Sequence, residues 1–125
     1  MKPAPHPQPF GADPFDFHRL PSPEDLLELH LKELGCEYYR QFKYVPGRNF
    51  KADFLVVGND DDVLVEVVGG VFSKQAHGSI TGILKDNERL NLAALAGYTM
   101  MRFTPQQVET GEAKEMVRKW LKGES

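Results

Sequence analysis

From Ser22 to Gly35, apolar residues fall at helical spacing: Leu27, Leu31 and Leu34, with Leu26 beside them. Ser22 suits an N-cap, Pro23 the first helical position, and Glu24 and Asp25 the positive end of the helix dipole. The pattern then changes to strand. Tyr38 to Tyr44 is aromatic and polar in turn, and Pro46-Gly47 supplies a turn. The stretch FKADFLVVGNDDDVLVEVV, Phe50 to Val68, predicts two strands joined by an acidic turn at Asn59 to Asp62. A helix is expected over about Ser79 to Ala96, with an apolar stripe of Ile80, Ile83, Leu84, Leu90, Ala94 and Leu95. Asn87 and Asn91 fall in the middle of that stripe, so as buried amides they are expected to bond to the sheet or point toward acidic groups. Gly97 closes the helix, Tyr98 to Phe103 predicts a strand, and Thr104-Pro105-Gln106-Gln107 starts the last helical segment with a capping box. The amphipathic remainder runs through Trp120 and Leu121. The predicted order is α-β-β-β-α-β-α, an α/β chain.

Composition narrows the class. The 125 residues suffice for one domain with one core. Residues 1–22 hold most of the prolines and are expected to be an extended or flexible arm, with Phe10, Phe15 and Phe17 able to pin it; residues 23–125 form the domain. Cys36 is the single cysteine, which excludes an internal disulfide and a cysteine-based zinc site. No apolar run approaches membrane-spanning length and no signal-peptide core opens the chain, so a cytoplasmic location is expected, with no membrane partner. A net charge of −3 announces no nucleic acid, so any such surface must be a local patch.

Two carboxylates interrupt the predicted strands. Asp53 lies in phase with Leu55 and Val57, and Glu66 with Leu64 and Val68. A buried carboxylate needs a partner or a metal, and two converging on a hairpin suit Mg²⁺ or Mn²⁺. The alternative is a surface charge on an edge strand. Arg40, Lys43, Arg48 and Lys51 run through the preceding hairpin among Tyr39, Phe42, Tyr44 and Phe50. They suit phosphate contacts, although Arg40 and Lys43 differ in strand parity and a solvated hairpin explains them equally. Lys74 and His77 lie in a polar loop after Gly69-Gly70. His6, His18 and His30 take no assigned role.

In joint order and spacing, these pieces resemble the PD-(D/E)XK nuclease superfamily, in particular small phage and bacterial endonucleases of the very-short-patch-repair type. The resemblance runs from about Pro23 to Leu121. It rests on Glu24 in the first helix; on Phe50, Asp53 and Phe54; and on Val65-Glu66-Val67-Val68-Gly69-Gly70, in which valine replaces an aspartate. It continues through His77, through Asp86, Glu88, Arg89 and Asn91, and through Gly97, Tyr98, Arg102, Phe103 and Thr104.

The resemblance implies a restriction-endonuclease-like mixed sheet flanked by helices, and Mg²⁺-dependent hydrolysis of DNA phosphodiesters in a phage or bacterial DNA-processing system. It implies that Asp53, Glu66 and the Val67 carbonyl hold the metal, with Glu24 contributing directly or through water. The superfamily's usual lysine falls at Val68, which leaves Lys85, Arg89, Lys74 and His77 as candidates for the basic role. Arginine stays protonated, so Arg89 suits charge neutralisation better than proton transfer. Two further readings stand beside the endonuclease: a Holliday-junction-resolvase-like homodimer, and a nuclease fold that binds nucleic acid without cutting it.

Overall fold

A computed structural model describes residues 21–68 and 80–124. The proline-rich arm up to position 20 and the loop carrying Lys74 and His77 lie outside the described residues. Helix α1 is Pro23–Leu34, followed by strands β1 (Tyr38–Lys43), β2 (Lys51–Val57) and β3 (Asp62–Val67), helix α2 (Ile80–Leu95), strand β4 (Thr99–Phe103), and helices α3 (Pro105–Glu109) and α4 (Glu112–Lys122). The capping signals act as their chemistry predicts: Ser22 Oγ accepts from the Asp25 N–H at 3.0 Å, and Thr104 Oγ1 from the Gln107 N–H at 3.2 Å. The last helical segment divides in two at Gly111, whose φ of 83° needs a residue without a side chain.

The four strands form one sheet in the order β1-β2-β3-β4. The first three pair antiparallel, and β4 lies parallel to β3. A parallel neighbour requires a crossover, and α2 lies within it. The chain is therefore an α/β domain with a mixed sheet flanked by helices.

Alternation along β2 and β3 divides the core between the two faces. Phe54, Val56, Val63 and Val65 join Leu27 and Leu31 of α1, Val108 of α3, and Ala113 and Val117 of α4. Leu55 and Leu64 join Tyr39, Tyr44, Ala52 and Ala93. Full burial of each Leu, Val or Phe contributes about 1.5–3 kcal/mol. Gly58 sits where the turn between β2 and β3 meets α4: a Cβ there would lie 2.6 Å from the Trp120 ring and 2.5 Å from the Asp61 carbonyl oxygen.

Helix α2 has the expected period but the opposite orientation. Ile80, Ile83, Leu84 and Leu95 are 75, 52, 63 and 84% exposed, and Asn87 and Asn91 are exposed with them. Ala93 is the buried residue of the helix, and Asp86 and Arg89 share its side at helical spacing. These two charged residues engage Arg102 and Glu66 on the strands. Buried Glu66 needs cationic partners, since an unpaired charge there costs several kcal/mol. The helix meets that need with its charged edge and leaves the uncharged band facing outward.

Urea denaturation distinguishes the two kinds of position. Gly58→Ala should lose about 1–3 kcal/mol by overpacking and Leu31→Ala about 2–5 kcal/mol by leaving a cavity. Ile83→Ser should stay within about 0.5 kcal/mol of the wild type. A loss of 2 kcal/mol or so at Ile83 would contradict the outward orientation of α2.

Candidate functional site

The sheet ladder fails on both sides of one residue. Between β1 and β2, Arg40 pairs with Phe54 and Phe42 with Ala52, but the Gln41–Asp53 step between them is not a pair. Between β2 and β3 the register runs from Val57↔Asp62 to Phe54↔Val65 and stops before Asp53 and Glu66. Pairing of β3 with β4 continues through Glu66↔Arg102 and Val67↔Phe103. The sheet therefore opens between β2 and β3. Across the opening, the Val67 N–H donates to Asp53 Oδ2 at 2.7 Å, a carboxylate oxygen standing where a strand carbonyl would be.

Gln41, opposite Asp53, has a φ of 56°, unusual for a residue with a side chain and costing about 1–2 kcal/mol. In a regular strand, Arg40 and Gln41 would point to opposite faces. Here both reach the same carboxylate: Arg40 Nε and Gln41 Nε2 donate to Glu24 Oε1 at 3.0 and 2.6 Å. Arg40 also pairs with Asp25 at 2.9 Å and Glu28 at 2.7 Å, and stacks over the Phe54 ring at 5.8 Å.

On the other side of the opening, Glu66 is 5% exposed and is held by Arg89 and by Arg102, whose Nε lies 3.3 Å from Oε2. Arg102 in turn grips Asp86 through a two-point fork at 3.0 and 2.8 Å, which holds the Asp86 pKa below its usual value. Asp53, between the two clusters, has no arginine or lysine partner among the described residues. Burial pushes its pKa up to about 6; the Val67 hydrogen bond and the Arg40 charge oppose that rise, and the charges of Glu24 and Glu66 add to it.

The other candidates fall into place around this row. Val67 contributes its N–H to Asp53. Lys85 is exposed on α2. Arg40 is turned into the α1 carboxylates, which removes it from the basic face expected of it alongside Lys43, Arg48 and Lys51. Those three remain on the hairpin. Lys43 Nζ lies 3.4 Å from Asn49 Oδ1, and Arg48 stacks on Phe50 at 4.6 Å while pairing with Glu88 at 2.9 Å. Lys51 is exposed, and its carbonyl accepts from Arg89 at 3.2 Å. Lys43, Arg48, Asn49 and Tyr98 line an open pocket of about 420 Å³. Gln41 belongs to the site and carried no readable signal, since a left-handed backbone angle depends on tertiary placement.

Comparison with protein-family models, with curated proteins and with solved structures finds no match to this chain. The chemistry must therefore be judged from the site itself. Among the described residues, no three acids or histidines stand close enough to enclose a metal. Among the described residues, such a site would draw two carboxylates directly, from Asp53 and Glu66. That donor set fits Mg²⁺, which keeps several waters and binds through one or two carboxylates. The fit rests on Asp53, a half-buried acid with one hydrogen bond and no ion-pair partner among the described residues.

The raised Asp53 pKa fixes a pH dependence. A folded-state pKa of about 6 against 3.8 unfolded makes the ionised acid unfavourable to folding. The penalty is fully present above about pH 6 and relieved as pH falls toward 4; solvent screening of the part-exposed acid keeps it below an upper bound of about 3 kcal/mol. Asp53→Asn keeps an oxygen acceptor for the Val67 N–H and removes the charge. In EDTA it should melt above the wild type at pH 7.5, with the gap closing by pH 4. A variant that melts lower at pH 7.5 would show that the carboxylate is compensated by a group outside this arrangement.

Proposed function

We propose that this protein is a metal-dependent endonuclease that hydrolyses DNA phosphodiesters. The observation that supports this best is the opening of the sheet at Asp53. There a carboxylate with no ion-pair partner among the described residues stands beside Glu66, at the edge of a hairpin that carries Lys43, Arg48 and Lys51. Asp53 and Glu66 would hold Mg²⁺ or Mn²⁺, with the Val67 carbonyl and Glu24 as further donors from the motif resemblance. Glu24, bound by Arg40 and Gln41, would act through water. When bound, the metal supplies Lewis-acid activation of a water and stabilisation of the leaving oxygen. Asp53, ionised above pH 6, presents the charge that attracts the cation. Arg89 and Arg102 neutralise phosphate charge without exchanging protons. Lys43, Arg48 and Lys51 bind the DNA backbone on either side of the cut. The basic role left open by Val68 falls to Lys85, the exposed lysine of α2, or to Lys74 or His77 in the loop.

A second reading is favoured by the ion pairs at Glu66. Two arginines already compensate that carboxylate, and Val68 stands in the superfamily's lysine position. A nuclease fold that binds nucleic acid without cutting it would show both features. A resolvase-like homodimer remains a proposal too, with the outward uncharged band of α2 as the surface on which two copies would meet.

Supercoiled plasmid and branched DNA incubated with Mg²⁺, Mn²⁺ or EDTA separate these readings. The nuclease reading predicts cutting with either metal and none in EDTA. Asp53→Ala and Glu66→Gln should each lower the rate on the order of a thousandfold with unchanged circular dichroism. Metal-independent binding of both DNAs without any cutting would establish the second reading instead.

The DNA face makes a separate prediction. Each phosphate contact contributes about −0.9 to the slope of log K against log salt on duplex DNA. Arg48→Glu combined with Lys51→Glu should flatten that slope by about two contacts' worth and weaken all sequences alike. Arg40→Gln should leave the slope unchanged, because Arg40 is committed to α1. Fluorescence anisotropy over a salt series reads both; a slope that responds to Arg40 and not to the pair would move the DNA surface elsewhere.

A further inference from the structure

Tyr44 follows directly after β1 and is 3% exposed. Its ring packs in the core with Ala52, Leu55 and Leu64, but its hydroxyl finds no hydrogen-bond partner among the described residues. Burying an unsatisfied hydroxyl forfeits its bonds to water with nothing in return, so proteins seldom keep one without a use for it. The polar groups acting on this hydroxyl are Arg89, Glu66 and Arg102. The Arg89 guanidinium lies near it without completing a hydrogen bond; Arg89 Nη2 goes instead to Glu66 and to the Lys51 carbonyl.

A second orphan sits in the same cluster. Arg102 uses Nη1 and Nη2 on Asp86, while its buried Nε makes only a charge contact with Glu66 at 3.3 Å and no hydrogen bond. Of the buried side-chain nitrogens and oxygens without a hydrogen bond among the described residues, the remaining one is His30 Nδ1, on α1. Two unsatisfied donors thus share one neighbourhood, and Arg89 lies with them.

We propose that Tyr44 Oη, Arg89 and Arg102 form a subsite for a tetrahedral oxyanion, which under the nuclease reading is a phosphate of the DNA strand held beside Asp53 and Glu66. That assignment of the anion rests on the reading above; the oxyanion subsite rests on the orphaned donors. Burial raises the Tyr44 pKa, so the hydroxyl stays protonated and acts as a donor. The two arginines are balanced by Glu66 and Asp86, so the subsite takes its anion together with a divalent cation on Asp53. Tyr44 is then a group that touches the bound anion, while its ring holds it rigidly in the core.

The test uses Tyr44→Phe, which removes only the hydroxyl, and inorganic sulfate as the probe in the presence of Mg²⁺. Melting is followed in sodium chloride and in sodium sulfate at equal ionic strength. Sulfate's general stabilising action is common to both proteins, so the subsite is read from the difference between them. In chloride the variant should melt at or above the wild type, since it loses no hydrogen bond. In sulfate the wild type should gain more, corresponding to roughly tenfold tighter sulfate binding. Arg89→Lys, which keeps the charge but loses the fork, should also lose part of that gain. Equal gains for wild type and Tyr44→Phe would overturn the subsite, as would a variant that melts lower in chloride, because its hydroxyl would then be bonded already. A sulfate difference in a protein that cuts no DNA would support the subsite and sink the nuclease reading.

Discussion

The arrangement of this site depends on one hydrogen bond, from the Val67 N–H to Asp53 Oδ2. Strands β2 and β3 part after Phe54↔Val65, and a backbone donor exposed in that gap would otherwise lack a partner. Asp53 satisfies it with a side chain instead of a strand carbonyl. The substitution keeps the opening and fixes the carboxylate within it. The same bond lowers the cost of burying the charge, but burial outweighs it, and the acid titrates near 6.

Charge is compensated unevenly around that point. On the α1 side, Arg40 is shared among Glu24, Asp25 and Glu28. On the α2 side, Arg89 and Arg102 are shared between Glu66 and Asp86. Asp53 lies between the two clusters with a hydrogen bond and no ion-pair partner among the described residues. Ion pairs of this kind add little net stability, because desolvation offsets most of the attraction. Their value here is orientation: they seat α2 against the strands and fix the position of each carboxylate around the opening. The strained backbone at Gln41 serves the same end by bringing a second donor to Glu24.

Much of the fold was legible in the sequence, because each element carries its own local signal. Ser22-Pro23 and Thr104-Pro105 mark helix starts, and the unbroken apolar run of Phe54, Leu55 and Val56 marks a strand buried on both faces. Asp53 and Glu66 stood out as charges inside apolar runs. The orientation of α2 did not follow from its pattern. Periodicity identifies an uncharged stripe but cannot reveal that the opposite edge, through Asp86 and Arg89, is wanted by Arg102 and Glu66 across the sheet. Arg40 was misplaced for a related reason, since no local signal in β1 shows that Glu24, Asp25 and Glu28 of α1 lie across its face. Tyr44 read as one more aromatic in a basic hairpin until its hydroxyl proved to be unpartnered.

The central claim is that Asp53, the acid at the sheet opening, is a cation site. Calorimetric titration of Mn²⁺ into wild type and Asp53→Asn, at pH 7.5 and at pH 5, tests it most directly. The wild type should bind at pH 7.5 and more weakly at pH 5, where Asp53 must give up a proton to the buffer on binding, and the variant should bind at neither. Binding of equal strength by both proteins, indifferent to pH across that interval, would contradict the claim.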